Sequence, residues 1–193
     1  MKLPKRAHLS RPWRIHELTR DFRLEDVWAL ETPGGRDDFP RLVQMVAAFD
    51  TKHRRSVVGL LFAIRELLGY AFGWDSPEAA NDPRRPTLRN RLPADLRNAT
   101  SSVDPAPFTA LYQTDDEWAA EIINKTVHGV IHLGWVPVES GTYRGQLAIL
   151  VKPNGLLGTA YMAAIAPFRY GIVYPQMLKG FARKWLSYSE NHA

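Results

Sequence analysis

Two histidines four residues apart in TVHGVIHLGW (126–135) are the side chains whose type and spacing come closest to a reactive pair. On a helix, residues i and i+4 share a face and could hold one metal ion. On a strand they share a face but are separated along it. The stretch is rich in β-branched residues, has Gly129 and Gly134 inside it, and connects through PVESG to the alternating run YRGQLAILV, so a hairpin is predicted. At a rise of about 3.3 Å per residue, His128 and His132 then stand roughly 13 Å apart, too far to share an ion. No metal is expected. The more apolar side, with Val127, Gly129, Ile131, Leu133 and Trp135, should meet the core, which turns Thr126, His128, Val130 and His132 to solvent. The alternatives for the histidines are a ligand or subunit contact, or catalysis.

Other catalytic patterns are missing. The 193 residues include no cysteine, which removes thiolate zinc sites, thiol nucleophiles and a disulfide scaffold, and points to the cytosol. There is no G-x-S-x-G, H-E-x-x-H, P-loop or G-x-G-x-x-G, and no cofactor is implied. NGLLG (154–158) could cradle an anion at a helix start but reads more simply as a turn. The carboxylate pairs Asp37/Asp38 and Asp115/Asp116 look like helix caps, and Glu117/Glu121 like a solvated face. The net charge of +5 comes from dispersed residues in a basic N-terminal tail, in KHRR (52–55), in DPRRPTLRNR (82–91) and in FARK (181–184). None is interleaved with aromatics, so specific nucleic-acid binding is not expected.

These residues need elements to position them. DFRLEDVWALE (21–31) fits a helix or a strand, and the strand is preferred because the segment is short, places Leu24, Asp26, Trp28 and Leu30 on one side and stops at TPGG. DDFPRLVQMVAAFD (37–50) is an amphipathic helix with Pro40 in its first turn, and KHRRSVVGLLFAIRELLGYAFGW (52–74) a second. From about 75 to 107 the chain is Pro-rich, with TLRNRL and ADLRN as its only helical turns. It is expected to wrap the surface, or to act as a lid. PFTALYQT and YRGQLAILV alternate as strands, while DDEWAAEIINK (115–125) fits a short helix or a bent strand. The chain closes on a long helix whose stripe runs Leu157, Tyr161, Ile165, Phe168, Ile172, Leu178, Phe181 and Trp185, kinked or broken near Pro167 and Pro175. GLLGTAYMAAIAPF is too short to span a bilayer and Arg169 follows, so no transmembrane segment is expected. The N-terminus lacks the apolar stretch of a signal peptide. One domain (12–188) between short tails (1–11 and 189–193) is anticipated, and its 45% hydrophobic content suffices for one core.

Strand, two helices, antiparallel strands and a long last helix follow the order of the α+β helix-grip fold, in which the sheet curls around the C-terminal helix. DVWALETPGGRDDFP, NKTVHGVIHLGWV and LVKPNGLLGTAYMAAIAPFRYGIVYP resemble the domain of unknown function 2867 family, from about Pro12 to Trp185. The resemblance implies a START-like (SRPBCC) helix-grip protein of bacterial type, with relatives that range from lipid carriers to polyketide cyclases. It carries no reaction and no site residues. Some family members are fused to a nucleotide-binding domain, and none is expected before residue 12. Two function classes follow. In the first, a binding module holds a small apolar molecule between sheet and last helix, lined by Trp135, Tyr143, Tyr161, Phe168, Arg169 and His128, or the same residues fill a dry core. In the second, a cofactor-independent cyclase or isomerase uses Tyr161, Arg169 or an inward histidine on a carbonyl. A ligand-free interaction subunit or a homodimer is also compatible.

Overall fold

The computed structural model describes residues 1–48, 86–99, 101, 103, 107–138 and 141–190. The helix expected over 52–74, its KHRR start and the first part of the Pro-rich stretch lie outside the described residues. In chain order come two single-turn helices, α1 (Arg6–Leu9) and α2 (Ile15–Leu18), strand β1 (Arg23–Ala29), a 3-10 turn (Arg36–Asp38) and α3 (Phe39–Ala47). A second 3-10 turn (Leu88–Arg91), α4 (Ala94–Arg97) and strands β2 (Thr109–Gln113), β3 (Glu117–Ile123), β4 (Val127–Pro137) and β5 (Tyr143–Pro153) follow. Helix α5 (Gly155–Phe168), a π-helical turn (Arg169–Val173) and α6 (Tyr174–Glu190) complete the chain.

The strands form one antiparallel sheet in the order β1-β5-β4-β3-β2. Residues 115–125 thus resolve to a strand rather than a helix. The β3–β4 turn is fixed by Asn124, whose Oδ1 accepts from the Thr126 amide (2.9 Å), the Thr126 hydroxyl (2.8 Å) and the Val127 amide (2.9 Å). β1 closes the far edge against β5, with a bulge between Leu24 and Asp26 that re-aims Asp26.

Both faces of this sheet are covered. On one, α3 and α6 bury Phe39, Leu42, Phe181 and Trp185 against Trp118, Leu133 and Trp135. On the other, Trp13, Ile15, Leu18, Leu88, Leu92 and Leu96 bury Ala119, Val130 and Ala148. The alternation expected for β4 and β5 is present, whereas bulges in β1 and β2 turn Leu24 away from Trp28 and Leu30 and Tyr112 away from Ala110. The outward face of β4 is not solvated: His132 is fully inaccessible and His128 only 7% exposed. The reason is the cover made by the N-terminal segment together with residues 86–99. Residues 1–11 are no tail: the Leu3 amide donates to Val27 O and the Ala29 amide to Met1 O, both at 2.8 Å, and His8 is fully inaccessible. The cover is assembled from single turns, which carry too few residues to show a helical period.

The C-terminal helix is long, as expected, but it runs on through both prolines. Pro167 has no N–H and crowds the carbonyl four residues before it. The π turn that begins two residues later widens the helix instead of breaking it. Its inward residues are Gly158, Tyr161, Ile165, Arg169, Val173, Tyr174, Phe181 and Trp185, whereas the expected stripe members Leu157 and Phe168 are each 43% exposed. The unbroken stretch Gly155–Ser187 is, by length and composition alone, apolar enough to cross a membrane, which the shorter run 155–168 is not.

Candidate functional site

The histidine face carries two acid–base pairs built by the β3–β4 hairpin. Ala119 lies opposite His132 and Ile123 opposite His128, so Glu117 and Glu121 each sit one diagonal step from a histidine on the same face. His132 Nε2 is 2.9 Å from Glu117 Oε2, and His128 Nε2 is 2.7 Å from Glu121 Oε2. All four side chains are buried. The Glu-x3-Glu and His-x3-His spacings, read together on one hairpin, were the signal available in the sequence. Taking Glu117 and Glu121 for a solvated helical face hid it.

Glu117 accepts from the Arg14 amide (2.8 Å), the Tyr112 hydroxyl (3.0 Å) and His132. Burial pushes its pKa up, but His132, Arg14 and Tyr112 outweigh it and hold the carboxyl below its ordinary range. Burial dominates at His132, whose pKa is lowered despite Glu117. An ionised Glu117 beside a neutral His132 satisfies both. It fixes the tautomers: His132 Nε2–H donates to Glu117, which leaves Nδ1 bare to accept from His8 Nε2–H at 3.2 Å. His8, desolvated and facing His132 and His16, is pushed down to about 2. Its ring lies edge-on to both, with centroids 5.0 Å and 4.8 Å away. Glu121, by contrast, is bound by Thr87 and, at 3.0 Å, by the Leu88 amide, which fastens the 86–99 cover to the sheet.

The Glu117 end of this row opens on a cleft of about 1210 Å³ at the end of the sheet, bordered by Arg11, Trp13, Arg36, Glu117, Trp135 and Tyr143. Trp13 packs against Gly134, where an added Cβ would come within 2.7 Å of its ring. Trp135 stacks on Tyr143 (centroids 6.2 Å apart, planes 12° apart), and its Nε1 donates to Gly35 O at 3.0 Å. The Pro33–Gly35 turn holds both large indoles, since Trp185 Nε1 donates to Pro33 O at 2.9 Å. Gly34 is needed there because a side chain would meet Asp38 and Trp135. Trp13 Nε1, His8 Nδ1, His16 Nε2 and Gln146 Oε1 are buried without a hydrogen-bond partner, and of these residues Trp13 lines the cleft.

The other expected site residues are dispersed. Tyr161 packs with Val127, Val151 and Ile165 at the opposite end of β4 from Trp135, so these two aromatics do not share a space. Phe168 faces outward, and His128 lies on the other face of the sheet from the terminal helix. Arg169 is engaged: its Nη2 donates to Asp26 at 3.1 Å, where Tyr170 (2.6 Å), Tyr174 (2.8 Å) and Lys2 (3.2 Å) converge as well. This clamp joins the bulge of β1 to the π turn. Burial, with Asp26 alongside, raises the Tyr174 pKa far above its ordinary value, and its hydroxyl stays a donor.

The family model described as Protein of unknown function (DUF2867) matches residues 18–176. The chain belongs to this family. No curated protein and no solved structure matches it. The DUF2867 span takes in the sheet, both His–Glu pairs and the Asp26 clamp except for Lys2. Residues 1–17, which bring His8, Trp13 and the Arg14 amide to the site, and the end of α6 lie outside it.

Proposed function

We propose that this DUF2867 protein is a helix-grip binding module for a small, largely apolar molecule with a polar end, held in the cleft between Trp13 and the Trp135–Tyr143 stack. The observation that supports it is the cleft itself: Trp13, Trp135 and Tyr143 in its walls, a rim that carries Arg11 and Arg36 beside Asp37, Asp115 and Asp116, and a floor carrying Glu117. Aromatic faces give a flat molecule area, and the charged rim orients its polar end. The space expected between sheet and last helix is occupied by Trp118, Trp135, Phe181 and Trp185, so in this reading the ligand lies at the sheet's end and touches Trp135 and Tyr143 of the lining set. Native mass spectrometry of protein purified from its own host, with tryptophan fluorescence titrations of amphiphilic compounds, tests it. A retained small molecule, or saturable quenching lost in Trp13→Ala and Tyr143→Ala, is expected. An apo mass only, together with no response across the compounds, defeats it.

A second reading, a cyclase or isomerase, draws on one observation: Glu117 is an ionised carboxylate at the cleft floor, backed by His132 and His8. In that case Glu117→Gln should retain ligand affinity and lose turnover.

A further inference from the structure

We propose that the outer face of α5, with the start of α6, is a docking surface for an anionic lipid bilayer, lying in the interface rather than crossing it. Helix α5 is apolar all round, a pattern that belongs to a fully covered helix. Among the described residues nothing covers its outer side: Leu156 is 91% exposed, Leu157 and Phe168 43%, and Tyr170 37%. From Gly155 to Ser189 the chain contains no aspartate or glutamate, while Lys179, Arg183 and Lys184 follow on exposed turns of the same helix. Lys184 reaches Ala48 O at 3.3 Å, which leaves Lys179 and Arg183 without a partner among the described residues. The nearby carboxylates Glu25 and Asp26 are taken up by Arg169.

An apolar helix followed by unneutralised cations has the composition of a segment that seats its apolar side at the acyl boundary and its cations among phosphates. A second copy is a poorer occupant. An isologous contact along this helix would offer the cations of each copy no acid on the helix they meet, since Gly155–Ser189 has none. Crossing the bilayer would strip Tyr161, Ile165, Arg169 and Val173 from the sheet and break the Asp26 clamp, so the helix lies flat.

Flotation of the full chain with vesicles of phosphatidylglycerol and phosphatidylcholine, against phosphatidylcholine alone, is the test. Binding to the mixed vesicles only is expected. Leu156→Ser with Phe168→Ser should weaken it at least tenfold, and Lys179→Gln with Arg183→Gln about fivefold per cation removed. Absence of binding overturns the proposal, as does binding that responds to the charge changes but not to the two serines. A dimer by light scattering that the serines dissociate would assign the face to a second copy. A marked loss of stability in the serine variant would mean that the chain itself covers the face.

Discussion

Two buried residues set the response to acid and to substitution. His8 titrates at about 2 in the folded chain against an ordinary 6.5. The native state therefore binds fewer protons than the unfolded chain below 6.5, and stability falls as pH drops through that value, by about 1.4 kcal/mol per pH unit for such a group. His132 is shifted the same way, and Glu117, held below its ordinary 4.5, adds a loss of the same sign at lower pH. Urea midpoints should thus decline between about pH 7 and about pH 5, before any carboxylate titrates. His8→Asn, which keeps a donor for His132, should make that decline shallower; an unchanged slope would rule out His8 as its source. Asp26→Asn is the other sharp case. It leaves the buried Arg169 guanidinium with only Glu25, at 3.6 Å, and should cost about 3–5 kcal/mol in chemical denaturation. Neither residue was visible as special in the sequence. His8 stood in a basic stretch that reads as a tail, and Asp26 on a strand where alternation alone placed it.

The regular elements were legible where one face is apolar over several turns. α3, with Phe39, Leu42 and Val43 inward, and the β4–β5 hairpin follow directly from spacing. β3 did not, because both of its faces are buried and Glu117 and Glu121 lie four apart, as they would on one side of a helix. The terminal helix was legible as a helix but not as continuous: a π turn has no sequence period of its own, and two prolines argue for a break. Two of its glycines should behave oppositely. At Gly158, where α5 leaves the sheet, an added Cβ would stand 2.1 Å from Thr126 O and 3.2 Å from Pro153. Gly158→Ala should therefore cost at least about 1–3 kcal/mol, because backbone has to move. At Gly171, in the π turn, an added Cβ meets nothing within 4 Å, and Gly171→Ala should stabilise by about 0.5–1 kcal/mol. Thermal midpoints of the two variants check both signs, and a stabilised Gly158→Ala would contradict the packing of α5 on the β3–β4 turn.

At the scale of the molecule the sheet separates two interiors, one under α3 and α6 and one under residues 1–22 and 86–99. The first was readable from amphipathic helices. The second was not, since its cover consists of short turns pinned by particular contacts such as His8 to His132 and Leu88 to Glu121. Removing residues 1–10 should lower stability by at least about 3 kcal/mol, from lost backbone bonds and exposed apolar surface, with increased binding of a hydrophobic dye as the readout. A truncated protein of unchanged denaturation midpoint would show the segment to be dispensable. The same arrangement imposes an order in time. His8 leaves the ribosome 124 residues ahead of the His132 it meets, and β1 long before the β5 it pairs with. At bacterial-to-eukaryotic elongation rates of about 5–20 residues per second that interval lasts roughly 6 to 25 s. For that time the first part of the nascent chain has an unpaired strand and no surface to dock on, so it is the stretch that a chaperone working during synthesis would have to shield.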